Sequence, residues 1–227
     1  MSGIERQETM KKVALIHTGF VMVEVLTKLF KQIIPEAELM HIVDDSLLRE
    51  VLAHGKVTKP VINRMLNYFR AAEYYKADCM FNVCSSVGEV ADLARGIISK
   101  PIVKIDEKMA EEAVAKSSNI GVVATLKSTM DPTIRMIQQK ACEIGKGIRI
   151  TKTICPGAFE QLMSGNPAGH DDIVLNGTIK IADSVDIIVF AQASMARLVS
   201  SLNKSLARRV FSSPESGVRE TRRVLGL

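Results

Sequence analysis

The sequence lacks the marks of several broad protein classes. It has no tryptophan, and Phe and Tyr together make up only 4% of its 227 residues. Its core must therefore come from aliphatic side chains, in strands and helices rather than in aromatic-rich sandwiches. The longest apolar runs, such as the one in VDIIVFA (185–191), fall far short of the roughly 20 residues that span a bilayer. The N-terminal MSGIERQETMKK has no apolar stretch of the secretory kind, so a cytoplasmic protein with no membrane partner is expected. The four cysteines, at 79, 84, 142 and 155, form no C-x-x-C pair and no zinc spacing. Free thiols in a reducing compartment are expected. No phosphate loop, dinucleotide fingerprint or pyridoxal-lysine context occurs, so no organic cofactor is expected. His170-Asp171-Asp172 has no further ligands at metal spacing and reads as a helix start, so no metal is expected either. Charge is only mildly unbalanced, at net +5. Its one basic excess (Lys204, Arg208, Arg209, Arg219, Arg222, Arg223) comes without any nucleic-acid motif, so it reads as a solvated face.

What is present is an alternation of short apolar strands with helices. KKVALIHT (11–18), AELMHIV (37–43), DCMFNV (78–83) and PIVKI (101–105) read as strands separated by helical spacings. A second series follows: NIGVVAT (119–125), IRITKTI (148–154) and VDIIVFA (185–191). Between them, residues 130–145 form a predicted helix with Ser128 and Asp131 as a capping pair and Pro132 in its first turn. PGAFEQLMSGNPAGH reads as loop-rich, and a helical tail begins near Met195. Such alternation predicts an α/β fold with parallel sheets covered by helices.

The two series repeat each other. KVALIHT matches NIGVVAT at an offset of 107 residues, and DCMFNVCSS matches DIIVFAQAS at 108. Thr18 falls opposite Thr125, Asp78 opposite Asp186, Ser86 opposite Ser194 and Cys84 opposite Gln192, with the Asp44–Asp45 pair roughly opposite Cys155. The spacing predicts two pseudo-symmetric halves, each a parallel sheet of about four strands. The first spans 1–106, joined by the C-terminal segment 205–227, and the second spans 107–204.

Ligands of open parallel sheets bind beyond the carboxyl ends of the strands, where Thr18, Asp44, Cys84, Thr125, Cys155 and Gln192 all stand. Two facing halves would bring these positions to one cleft. Cys84 precedes S-V-G-E (86–89), a capping box that predicts a helix start at or just after Ser86. A thiol ahead of a helix N-terminus is expected to have a lowered pKa, although an inert cysteine packed under the strand end fits the spacing equally well. Cys79 and Cys142 read as core residues. Cys155, before Pro156-Gly157, either reaches the cleft or packs beneath it. His17 either faces a ligand or is buried, and at least one of Asp44 and Asp45 is expected to cap the following helix.

Taken together, VALIHT, PEAELMHIVDDSLL, FNVCSSVGE, IGVVATLKSTM, CPGAFEQL with HDDIV, and DIIVFAQASMARL resemble the aspartate/glutamate/hydantoin racemase superfamily over nearly the whole chain. The resemblance implies two flavodoxin-like halves with the active site between them, often in a dimer or higher homo-oligomer. It also implies cofactor-independent proton transfer next to a carboxylate or carbonyl of a small-molecule substrate. In such racemases a cysteine from each half flanks the reacting carbon, one removing the proton and the other returning one to the opposite face. By the resemblance, Cys84 matches the first-half catalytic cysteine, and Ser85 and Ser86 help to bind the substrate carboxylate. Thr125 and the loop Lys127–Thr129, with Ser128, match the second-half binding loop. The departure is Gln192, where the second cysteine is expected, because an amide does not titrate near neutral pH. Three readings follow. Cys155 supplies the missing thiol; or one thiol suffices, as in the superfamily's arylmalonate decarboxylases; or Cys84 acts as a nucleophile, in hydrolysis or in isomerisation as in maleate isomerases. A non-catalytic binding protein on the same scaffold is the reading outside enzymology.

Overall fold

The strand KKVALIH (β1, Lys11–His17) is buried from Val13 onward, because it lies in the interior of a parallel sheet with both faces covered. Ala14 and Ile16 enter one core while Val13 and Leu15 enter another, as period-two alternation requires. The computed structural model describes residues 10–227; the first nine residues of the N-terminal stretch read above lie outside the described residues.

β1 pairs in parallel with β2 (Ala37–Val43) and β3 (Cys79–Asn82), and β3 with β4 (Ile102–Lys104), giving the order β2-β1-β3-β4. The second sheet repeats this order: β5 (Asn119–Ala124) lies between β6 (Arg149–Ile154) and β7 (Ile187–Phe190), and β7 pairs with β8 (Val210–Phe211). Two parallel four-stranded sheets flanked by helices therefore make an α/β molecule of two pseudo-symmetric halves. The repeat extends to hydrogen bonding at the strand ends. Asp44 donates its N–H to His17 O at 3.1 Å, as Cys155 does to Ala124 O at 2.8 Å. β8 is two residues long and has no periodicity to reveal it, so it was not foreseen.

Helices α1 (Val23–Ile33), α2 (Ser46–His54), α3 (Lys59–Tyr74) and α4 (Gly88–Arg95) cover the first sheet. Helices α5 (Glu107–Lys116), α6 (Lys127–Glu143), α7 (Ala158–Met163), α8 (Pro167–Ile181) and α9 (Lys204–Ala207) follow, and α10 (Ser213–Val224) closes the chain. The stretch read as loop-rich thus holds α7, launched by Gly157 at φ +79°, and the start of α8. The helical tail is a 3₁₀ segment, Ala193–Ser201, before α9. α6 starts at Lys127, directly after the extended Leu126, with no side-chain cap, so Ser128 and Asp131 do not cap it and Pro132 lies inside it. Cys79 is buried as foreseen, but Cys142 is exposed on α6.

The last helix of each half crosses over. α5 follows β4 yet packs Met109, Ala110, Ala113 and Val114 into the second half's core. α10 follows β8 yet packs Val218 with Phe81 and Ile105 of the first. Gly217 allows this approach, since a Cβ there would lie 2.6 Å from Ile105 O. Among the described residues no helix is long and apolar enough to cross a membrane.

Candidate active site

Both sheets end on one cleft. A cavity of about 470 Å³ lies between them, lined from the first half by Thr18–Met22, Leu48, Leu52 and Val83–Ser86, and from the second by Leu126, Thr129, Phe159, Leu162, Met163 and residues 191–194. Its inner end is polar, with Thr18, Cys84, Ser85, Ser86, Gln192 and Ser194, while its walls are aliphatic and aromatic. Of the ionisable residues lining it, Asp45 and Arg49 are exposed on the first turns of α2 and pair with each other at 3.2 Å. Cys84 is the third and stands at the inner end.

Cys84 and Gln192 hold equivalent places in equivalent backbone. Each ends a strand in extended conformation (φ −120°, ψ 120° and φ −129°, ψ 132°) and each leads into a 3₁₀ turn. Their neighbours match as well. Gln192 Oε1 accepts hydrogen bonds from Thr125 N–H at 2.7 Å and Thr125 Oγ1 at 2.9 Å, and its amide nitrogen also meets that hydroxyl at 2.7 Å. Thr18, the counterpart of Thr125, lines the cleft with Cys84.

The helix-start argument for a lowered thiol pKa is overturned. Burial pushes the Cys84 thiol up, outweighing the hydrogen bonds from Thr18 and Ser86 that favour the thiolate, and the Asp106 carboxyl adds to the rise. The capping box does not form either. No side chain caps α4, and Ser86 Oγ instead reaches Ser128 Oγ of the other half at 3.4 Å.

Other candidates fall outside the cleft. Cys155 is 2% exposed and does not line it; a Cβ on Gly177 of α8 would come within 2.6 Å of its sulfur, which is packed behind the sheet. Burial raises its pKa. His17 is buried, with Nε2 against His41 Nδ1 at 2.9 Å and Nδ1 unpartnered. Burial, together with His41, lowers its pKa to about 4, so it stays neutral. Asp44 accepts from Ser46 N–H at 3.0 Å, Arg64 at 3.0 Å and Tyr68 OH at 2.7 Å. Burial acts to raise its pKa, but these partners hold its carboxyl below the ordinary range, in a structural network behind α2. Ser128 and Thr125 stand behind the cleft wall; Thr129 lines the cleft while donating to Leu126 O at 2.9 Å. Among the described residues no cluster of three His, Cys, Asp or Glu is placed to hold a metal.

The reading from sequence missed the apolar wall and one buried acid, Asp106. The wall residues Leu48, Phe159 and Leu162 sit on helices whose spacing shows an apolar face without showing which cavity it meets.

The same architecture occurs in known proteins. The family model for Asp/Glu/hydantoin racemases matches residues 14–221. The chain belongs to that family. Membership places this racemase-family chain among enzymes of the isomerase type. Solved structures agree in fold. Glutamate racemase from Francisella tularensis subsp. tularensis SCHU S4, in complex with D-glutamate, superposes with a TM-score of 0.73 at 13% identity, over 96% of this chain and 82% of that one. Aspartate racemase from Picrophilus torridus gives 0.71 at 12% identity, over 95% and 94%. Allantoin racemase from Klebsiella pneumoniae gives 0.69 at 16% identity, over 96% and 89%. No curated protein matches this family member by sequence.

Proposed function

We propose that this protein is a cofactor-independent isomerase in which Cys84 moves a proton on one face of a small carboxylate that carries an apolar substituent. The observation that carries the reading is the inequality of two equivalent strand ends: Cys84 can ionise and Gln192 cannot. The thiolate removes a proton from the carbon beside the carboxyl or carbonyl group, and the charge moves onto oxygen. On this reading Ser85, Ser86 and the backbone N–H groups of the adjoining turns hold that oxygen. A proton taken by Cys84 can return only to the face it left. Returned to the same carbon, it gives exchange without inversion; returned to a neighbouring atom of a conjugated system, it shifts a double bond. The second outcome is net isomerisation and needs no opposing acid. Gln192, fixed by Thr125, keeps one amide hydrogen for a substrate oxygen.

The apolar walls support the substrate class. Leu48, Leu52, Phe159, Leu162 and Met163 favour an aryl or branched alkyl group, and Asp45 and Arg49 neutralise each other at the rim. The test is proton NMR in deuterium oxide of wild type and Cys84→Ser with phenylglycine, phenylpropionate, benzylhydantoin and styrylacetate. Wild type should exchange the α-proton, or move the double bond of styrylacetate, while the chiral compounds keep their hand. Exchange that survives Cys84→Ser, or racemisation as fast as exchange, would sink the reading.

A further inference from the structure

Asp106 is a buried carboxyl for which neither the fold nor the family chemistry supplies a purpose. It is 1% exposed, and neither carboxyl oxygen has a hydrogen-bond partner. Although it stands at the N-cap position of α5, it makes no side-chain cap. An acid buried without partners is costly enough that a role should be sought for it.

Sheet register gives its place. β3 and β4 pair Asn82 with Lys104, and Ile105 N–H continues the ladder to Asn82 O at 3.0 Å. The pairing ends at Asn82 and Lys104; two residues beyond it on each strand stand Cys84 and Asp106, close enough for the carboxyl to act on the thiol. In the second sheet β7 and β8 also pair at a separation of 22 residues, Ile188 with Val210. There α10 begins at Ser213, so the chain is already helical at the position that corresponds to Asp106.

We propose that Asp106 is a positioning residue that sets the protonation of Cys84, the two groups holding one negative charge between them. This rests on Cys84 being the proton-transfer group of the cleft. When Asp106 is a neutral acid, Cys84 can become a thiolate; when Asp106 is charged, Cys84 stays a thiol. Burial is the largest influence on Asp106; the Ser85 hydroxyl and the Lys104 ammonium favour its charged form, although Lys104 is also paired with Asp92 at 2.8 Å, and Glu107 disfavours it. Glu107, the next residue, is held by Arg95 at 2.5 Å and Lys140 at 3.1 Å. The buried face of α10 (Ser213, Pro214, Ser216, Gly217, Val218 and Thr221) carries no ionisable group.

The test is the pH profile of Cys84 alkylation by iodoacetamide, followed on the Cys84 peptide by mass spectrometry so that exposed Cys142 does not interfere. Asp106→Asn keeps the size and removes the charge. Its profile should move to lower pH by about one unit, so that alkylation below both midpoints is roughly tenfold faster. Asp106→Ala serves if the asparagine variant does not fold and should move the profile the same way. Profiles that coincide with wild type, or move to higher pH, overturn the proposal. A purely structural role would lower thermal stability without moving the profile. Because alkylation needs no substrate, this outcome is independent of the exchange experiment above.

Discussion

The two halves of the molecule differ most where their backbones agree best. At the third strand end of each, the chain takes the same extended turn into a 3₁₀ segment, with a threonine from the central strand beside it. One half puts a thiol there; the other puts an amide. Backbone symmetry is kept by register and by apolar side chains on both faces of each sheet, so it survives replacement of a single polar residue. On the function proposed above, chemistry rests on that residue and is confined to one half.

That comparison can be broken or sharpened by substitution. The largest effect should come from Cys84→Ser, which removes the one ionisable group at the inner end of the cleft. We expect exchange to fall by about 10²–10⁴-fold, the usual contribution of a positioned acid–base group, while the melting temperature stays within a few degrees. Gln192→Cys makes the strand ends alike. It should add inversion to exchange, and chiral chromatography of recovered phenylglycine would show both hands appearing. If the hand is still kept, symmetry at this position is not what sets stereochemistry.

A smaller difference lies in acid sensitivity. His17 in the first half corresponds to Ala124 in the second, and only the histidine titrates. Its folded pKa of about 4 lies below the ordinary 6.5, so the unfolded chain takes up the proton first as pH falls. Stability is complete above pH 6.5 and falls by about 1.4 kcal/mol per unit, losing on the order of 3 kcal/mol by pH 4. Urea unfolding across this range should show the slope, and His17→Asn should flatten it. The smallest effect concerns the second strand ends, where Asp44 is matched by Cys155. Gly177→Ala would press on the Cys155 sulfur, costing about 1–2 kcal/mol after the gain in helix propensity. Adding Cys155→Ala should restore the loss in a double-mutant cycle.

Much of this was legible in the sequence, for physical reasons that also mark its limits. The strands and their pseudo-symmetric pairing could be read because the central strands β1, β3, β5 and β7 are continuous apolar runs buried in the sheets, and the shared offset tied Cys84 to Gln192. β8 could not, since two residues carry no period. Cys142 looked like a core residue because it lies among apolar positions on α6, yet helix phase leaves it outside. The thiol pKa was misjudged because a helix start can be read in sequence but burial cannot. Cys155 and His17 were left open for the same reason: a strand end says where a residue stands, and only packing says which way it turns. Asp106 was missed because its significance lies in register across β3 and β4, which no local pattern records.

The crossing of α5 and α10 has a consequence for how the molecule comes apart. Each sheet is closed by a helix whose preceding strand belongs to the other sheet, so neither half owns its whole core. Cut out alone, either would expose the seat of a missing helix. Melting one sheet would strip the other of its cover, so the two should unfold together, with coincident transitions by different probes. The two faces of the cleft are therefore held opposite each other for as long as the protein is folded at all.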